Sequence, residues 1–317
     1  AVVYAESLSI FLLFSALWLL LKGGRNLIYS GIILGLAALT RLQTIFIIPF
    51  IALALVYQYK SLKQTLLFIT PFLLIFSIWP VRNYFNHNRI MFSQDLHIGK
   101  NWSEDYLSFM DYIFSVQTDH KPQFDQIVYS MPVIWPNESY HTKEDSVLLS
   151  KAVTLCRTCG TGFSYFMTYR VPGKAIVENN NCDAEIASIF QKLKEHQKKY
   201  NPFNYYLKVP AYNLYKSLFK NNLYGNKSST VMIITSLLFV IRSILIFIGL
   251  IGLFLLWKKN KNYIVITMGG FFVAWYVYLC FIYRNIEIRY LLPVDVLLII
   301  PASWFIYQMQ QKLLKSN

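Results

Sequence analysis

Several ionisable side chains stand at the edges of long apolar runs, or inside them, and their chemistry needs explaining. Glu6 directly precedes the run Leu8 to Leu21, and Arg41 follows Leu27 to Leu39. Arg82 and Asn83 come just after Thr65 to Trp79, a run that ends on Pro80. Arg284, Glu287 and Arg289 fall between the last two runs, and Asp295 lies about 9 Å further along a helix. A charge at such a depth is costly and by default marks a site. Arginine offers paired donors to phosphate oxygens, and a neighbouring carboxylate can serve as general base towards a hydroxyl. The chemistry on offer is recognition of an anionic lipid phosphate beside an acid or base. For any single arginine, an interfacial anchor snorkelling to water fits equally well. Arg242 has two readings. It faces the bundle at mid-membrane if its span begins at Val231, or anchors at the interface if the span begins near Ile241, and the anchor is favoured.

Other chemistries leave no trace. The sequence has no Gly-rich phosphate loop, nucleophile elbow or His-Glu-x-x-His helix. Cys156-Arg-Thr-Cys159 and Cys182 allow one disulfide in an oxidising compartment, with the pairing open. His196 is the only fourth ligand that suggests itself for a metal there. No cofactor is required by these residues, and a divalent metal ion is the one candidate.

The elements that must position these groups follow from composition. The 317 residues are 55% hydrophobic and only 15% charged, against about a quarter charged in soluble chains. That excludes a disordered chain and a disulfide-stapled miniprotein. Apolar segments run Leu8 to Leu21, Leu27 to Leu39, Thr44 to Tyr57, Thr65 to Trp79, Val231 to Trp257, Tyr263 to Tyr283 and Leu291 to Tyr307. The fold class is therefore an all-α integral membrane protein with about seven apolar helical segments and one large mixed extracytoplasmic insert. Residues 1–79 carry four segments, 80–230 form the insert, and 231–317 carry three. Leu27 to Leu39 is only about 20 Å long as a helix, and Gly31 and Gly35 allow close approach of another helix.

Charge sets the topology. Lys22, Arg25, Lys60, Lys63, Lys258, Lys259, Lys261, Lys312 and Lys315 fall on one face with no acidic residue, which makes that face cytoplasmic. The net charge of +14 divides into +9 there, +4 in the insert and +1 in the remainder. It is a topology signal and not one for nucleic acid. The insert lies outside, and a bacterial plasma membrane is the expected location. No basic stretch precedes the first apolar run, so no cleavable signal peptide is read. A chain beginning at Ala1 is expected to lack N-terminal helices.

Within the insert, Ala184 to Tyr200 reads as an amphipathic helix with Ile186, Ile189, Phe190 and Leu193 on one side. Tyr205 to Tyr224 alternates aromatics with lysines, which suits either a helix on the membrane surface or one covering the insert's core. Trp102 and Trp135 could stack on sugar rings, but core packing is the favoured reading of each. The sequons at Asn101, Asn137 and Asn226 matter only in a eukaryotic secretory compartment.

Four stretches together resemble a known group. Tyr29-Ser-Gly-Ile-Ile-Leu-Gly-Leu-Ala-Ala-Leu-Thr-Arg41 resembles the hairpin of polytopic glycosyltransferases that use lipid-linked sugars. Trp79-Pro-Val-Arg-Asn-Tyr84, with Asn88-Arg-Ile-Met-Phe-Ser93 and Gly99-Lys-Asn-Trp102, is similar to the start of that group's outer loop. Glu287-Ile-Arg-Tyr-Leu-Leu-Pro293 resembles its E-x-R-Y-x-x-P stretch, and Val3-Tyr-Ala-Glu6 its acidic residue opening a middle span. The likeness is to the C-type superfamily, in the branch of protein O-mannosyltransferases and aminoarabinose transferases (glycosyltransferase family 39). It covers the membrane portion and not the insert beyond Trp102.

The resemblance implies transfer of a sugar from a polyprenyl-phosphate donor, with inversion, to a hydroxyl on a glycan, lipid or protein acceptor at the outer face. It implies Glu6 as an active-site acid and Arg41, Arg82, Asn83, Asn101, Glu287, Arg289 and Tyr290 as substrate-binding residues, with Arg289 and Tyr290 holding the phosphate. It also implies a main catalytic acid in a first outer loop between two earlier helices, which this sequence lacks, so this chain alone is expected to be incomplete. The rival readings are an O-antigen ligase or polymerase, a transporter and a membrane receptor. A transporter predicts inverted repeats and broken helices at mid-membrane, and no repeat is visible.

Overall fold

The computed structural model describes residues 2–88, 90–92, 100–219, 229–260, 263–286 and 288–316. Among them there are helices and turns but no strand. The chain divides into two compact units. One is Ala1–Ser93, Lys216–Tyr278 and Ile286–Asn317; the other is Gln94–Tyr215 with Leu279–Asn285. The second is narrower at both ends than an 80–230 insert and adds a short segment from between the last two apolar runs.

The first unit begins with α1 (Val2–Lys22), α2 (Asn26–Thr40), a 3-10 turn at Leu42–Ile47, α3 (Ile48–Tyr59), α4 (Leu62–Phe76) and α5 (Ile78–His87). Gly23 and Gly24, at φ 66° and 59°, turn α1 back into α2, a conformation that costs glycine little. Ser30 Oγ then donates to the Ala16 carbonyl at 2.8 Å. The other side of α2 meets α4 at backbone distance. A Cβ on Gly31 would come within 2.2 Å of the Phe68 carbonyl oxygen, and one on Gly35 within 2.8 Å of Ile75. Small residues thus give the close approach that drives helix association where apolar burial does not.

The middle of the chain supplies α6 (Glu104–Val116), α7 (Lys121–Val128), α8 (Lys143–Thr158), α9 (Thr161–Arg170), α10 (Asn180–Tyr200) and α11 (Val209–Phe219). The first unit is completed by α12 (Ser229–Asn260), α13 (Tyr263–Val277), α14 (Ile288–Leu297) and α15 (Ile299–Ser316). Here α12 and α15 touch as α2 and α4 do: Cβ atoms on Gly249 and Gly252 would meet Leu298 and the Pro301 carbonyl.

Among the described residues, five helical stretches are long and apolar enough to cross a membrane: Ala5–Lys22, Leu42–Tyr59, Leu62–Asn86, Ser229–Lys259 and Tyr290–Lys315. Asn26–Thr40 and Thr267–Tyr283 are apolar but shorter. The expected seven therefore become five of crossing length and two short ones. Pro80 does not end the fourth run. It falls in the first turn of α5, where its missing N–H breaks no helical bond.

The second unit is a helical domain around an aromatic core. Phe109, Tyr112, Phe163 and Phe190 are all but fully buried, and α6 packs against α10. Ile186, Ile189, Phe190 and Leu193 are on the buried side of α10, as the periodicity predicts. Trp135 is in this core and Trp102 packs against it. A disulfide joins Cys159, at the end of α8, to Cys182 in the first turn of α10, leaving Cys156 as a buried thiol. The N-terminus of α9 is filled by the protein's own carboxylates. Asp105 accepts from the Gly162 and Phe163 amides, and Asp183 accepts from Thr161. Such a terminus favours negative charge, although burial pushes the Asp105 carboxyl up from its ordinary range. Gly160 and Gly162 leave room for it, since a Cβ on either would crowd Asp105.

At α8, Asp145 accepts from the His141 and Thr142 amides at 2.7 and 2.8 Å and contacts the His196 ring at 2.6 Å. Burial alone would raise this carboxyl, but His196 and the two amides outweigh it and hold Asp145 below its ordinary 3.8. A carboxylate with a depressed pKa stabilises the fold above its unfolded value and loses that contribution as pH falls through the folded one. The second unit's thermal stability should therefore decline as pH drops below 3.8. D145N should lower stability at neutral pH and flatten that acid slope, both read by near-UV circular dichroism. In the first unit, G31L forces α2 off α4 and should cost about 1–3 kcal/mol, measured as a lowered melting temperature in detergent.

Candidate functional site

Two buried charge assemblies lie among the apolar helices of the first unit. The first joins the residues that open α1 and close α2. Lys22 and Arg25 flank the glycine turn, and Glu6 and Arg41 each stand sixteen residues away, about 24 Å along their helices. An antiparallel pair of equal arms must bring those two ends together, and Arg41 Nη2 forms an ion pair with Glu6 Oε1. Both side chains are largely buried, at 18% and 10% exposure. The chain turns extended at Arg41, at φ −148° and ψ 109°. Thr44 fixes that turn by donating both its amide and its hydroxyl to the Arg41 carbonyl, at 3.1 and 2.8 Å.

A narrow gap opens near this turn, with room for about one water. Its lining includes Leu13 of α1, Gln43 and Thr44 of the turn, Trp275 of α13, and Pro293 and Val294 of α14. Trp275 Nε1 donates to the Tyr290 carbonyl at 2.8 Å, tying α13 to α14. The residues just after Arg41 and the end of the Glu287–Pro293 stretch therefore border one space.

The second assembly was not expected. Because α12 begins at Ser229, Arg242 lies well inside the apolar span, with fifteen residues between it and Lys258. The helix thus starts well before Ile241, against the favoured anchor reading, and the guanidinium turns to the protein, since an ionisable group within an apolar run must find partners. Its Nε donates to Asp295 Oδ2 at 2.7 Å, one Nη to the Ser217 carbonyl at 2.7 Å, and the other to the Tyr276 hydroxyl at 2.9 Å. Tyr276 in turn donates to Asp295 Oδ1 at 2.6 Å. The ring of Arg242, Tyr276 and Asp295 closes on itself. Sequence marked Arg242 and Asp295 as charges in apolar runs, but nothing singled out Tyr276 among 23 tyrosines.

The remaining sequence candidates are dispersed. Arg82 and Asn83 do not follow the fourth span but lie on α5, inside the helical stretch Leu62–Asn86. Arg82 is exposed, 5.6 Å over the Trp79 ring. Asn83 is buried and donates to the Met91 carbonyl at 2.9 Å, securing the chain after α5. Tyr290 contributes the carbonyl held by Trp275. Asn101 sits in a 3-10 turn, Lys100–Trp102, of the second unit. Glu287 and the Arg289 side chain lie outside the described residues.

Arg284 belongs with the second unit and not with a cluster around Glu6. It donates to the Tyr205 carbonyl at 2.8 Å, and its guanidinium stacks 4.0 Å over that ring. That unit also has a cavity of about 300 Å³, lined mainly by apolar groups with Glu138, Lys208, Asn204 and Tyr212. Glu138 and Lys208 pair at 3.1 Å; a backbone hydrogen bond first, and then this pairing, hold the Glu138 carboxyl below its ordinary range. No sequence spacing announced this cavity. Among the described residues, no group of three or more His, Cys, Asp or Glu gathers as a metal site, and His196 is engaged with Asp145.

The Arg242 ring can be tested by unequal substitution. R242M strands the Asp295 carboxylate and should cost about 3–5 kcal/mol, whereas R242M/D295L should regain most of that loss. Thermal melts in one detergent would show it, and a double variant no more stable than R242M would rule the pairing out as the source of the cost. No protein-family model, curated protein or solved structure matches this chain.

Proposed function

We propose that this chain carries part of the substrate site of a membrane glycosyltransferase that moves a sugar from a polyprenyl-phosphate donor to a hydroxyl acceptor, with inversion, at the outer membrane face. The observation that carries the reading is the buried Glu6–Arg41 pair. It is made by two residues that the resemblance had already picked from separate stretches of sequence. Its sidedness also fits, because the basic loop Lys22–Arg25 stands at the opposite end of both helices. Two further features support it. The turn after Arg41 and Pro293, the end of the Glu287–Pro293 stretch, line the same gap, and the Cys159–Cys182 disulfide suits a second unit on the oxidising side.

In this reading the guanidinium answers the donor phosphate's charge, and the carboxylate holds the guanidinium in place when the site is empty. Glu6 then positions the acceptor hydroxyl or the phosphate and completes a set whose main acid lies elsewhere. The gap as it stands holds no sugar ring, so donor binding requires α14 to move away from the turn at Leu42–Ile47.

A second reading, ion-coupled transport, draws on the Arg242–Tyr276–Asp295 ring, because ionisable chains inside membranes also serve as proton relays. The two are separable. Full-length protein in vesicles, supplied with radiolabelled polyprenyl-phosphate sugar, should transfer label to acceptor. E6Q and R41A should each lower transfer about a hundredfold or more at normal expression, while D295N leaves the chemistry intact. Undiminished transfer in both E6Q and R41A would remove the pair from the site. Uptake without transfer, abolished by D295N, would favour the transporter.

A further inference from the structure

The cavity of about 300 Å³ belongs wholly to the second unit, at the small end of the roughly 300–1,000 Å³ of ligand pockets. Three elements build it. The end of α6 brings Val116 and hands on to Gln117, the 3-10 turn Asn137–Ser139 brings Glu138, and the π-helical stretch Asn204–Lys208 runs into α11. Single π turns are rare and are frequent at functional sites. This one sets Asn204 and Lys208 four residues apart on one side, with Tyr212 four further on. Val116, Pro136, Val209 and the Tyr212 ring supply an apolar wall.

The polar groups bordering the cavity are biased towards acceptors. Asn204 is only 3% exposed, and its Nδ2 donates to the Val116 carbonyl at 3.1 Å. Gln117 Nε2 donates to Gln123 Oε1 at 2.6 Å and to the Asp119 carbonyl. Those bonds fix which way each amide points. Neither Asn204 Oδ1 nor Gln117 Oε1 then takes a donor from the described residues. Asn204 Oδ1 is not sealed in by protein either, so its donor has to come from whatever fills the cavity. Glu138 adds a third acceptor. Its partner Lys208 is the one cation on the lining, and their side chains are 39% and 59% exposed. An ion pair so exposed is worth little, so a ligand that brings both charges can exchange it readily.

That layout selects a ligand chemistry. Three acceptors on one cavity suit an ammonium, whose three N–H groups are all donors. A lone ammonium would be opposed by Lys208 and a lone anion by Glu138, whereas a zwitterion answers both. The apolar wall asks for a side chain without polar groups, since a polar one would be desolvated there without partners. We propose that this cavity binds a free α-amino acid with an apolar side chain. Its ammonium lies among Asn204 Oδ1, Gln117 Oε1 and Glu138, its carboxylate on Lys208 Nζ, and its side chain against the apolar wall. The second unit is then a binding module in its own right, and nothing in this inference rests on the glycosyltransferase reading.

The test is calorimetric titration of the full chain, in phosphatidylethanolamine–phosphatidylglycerol nanodiscs, with L-leucine, L-methionine and L-phenylalanine. At least one should bind saturably. Analogues of it that lack the ammonium or the carboxylate (for leucine, isocaproate and isoamylamine) should each bind about tenfold or more weakly. K208M should weaken binding of the amino acid by a similar factor and erase its advantage over the amine. E138Q should erase its advantage over the acid, because each variant removes the group that reads the missing charge. Both positions are on the exposed rim, and an unchanged melting temperature is the folding control. The analogue comparison on unmodified protein stands without either variant. No saturable heat from any of the three amino acids would overturn the proposal, as would analogues that bind as tightly or affinity unchanged in both variants. Equal binding of glucose or of isoamyl alcohol would overturn it too, by showing a pocket that reads no charge.

Discussion

Hydrocarbon gives a charge or a backbone dipole nothing to bond with, and that single deficit organises the first unit. Arg242 cannot reach water along its own helix, so it collects a carboxylate, a phenol and a backbone carbonyl. Those three partners bring together α11, α12, α13 and α14, which fixes much of the C-terminal packing. The Glu6–Arg41 pair does the same at the N-terminal end, where it closes the α1–α2 arms against each other. The same deficit explains the glycines. With little apolar driving force between helices in lipid, α2 and α4 hold together by intimate contact, and intimate contact needs hydrogen in place of a side chain.

The second unit obeys the other regime. Its core is aromatic and dense, its helices are amphipathic, and its buried carboxylates are paired with amides: Asp105 and Asp183 at α9, Asp145 at α8. Two carboxylates at one helix end are tolerated because the amides there are otherwise unpaired and the end carries partial positive charge. An end already filled by internal carboxylates has no amides left for an external anion.

Much of this was legible in advance, for reasons that can be named. Runs such as Val231 to Trp257 read as membrane helices because their length and purity admit few alternatives. Gly31 and Gly35 announced a close helix contact, though not that α4 would supply it. The four-residue spacing of Ile186, Ile189, Phe190 and Leu193 located the buried side of α10. Glu6 and Arg41 were marked because charge beside an apolar run is expensive. Pairings were harder, because they depend on which helices become neighbours. Arg242 was misread because the start of its span was taken too late, and Tyr276 had no mark at all. Pro80 was read as an end because proline stops helices from within, whereas at a helix start it is harmless. Arg284 looked like one of a cluster by its place in sequence; the chain folds Leu279–Asn285 in with Tyr205 instead.

The link between Cys159 and Cys182 has a consequence for timing. It closes a loop of 23 residues that contains the whole of α9. The cross-link restrains the unfolded chain rather than adding contacts to the folded one, by about 3 kcal/mol for a loop of this size on the chain-entropy view. A newly made chain still in a reducing environment lacks that restraint. Its second unit is then less stable than the same residues after oxidation. Once oxidised, the domain is harder to unfold. The disulfide thereby ties the firmness of this unit to the redox state around it, acting as a catch that only oxidation sets.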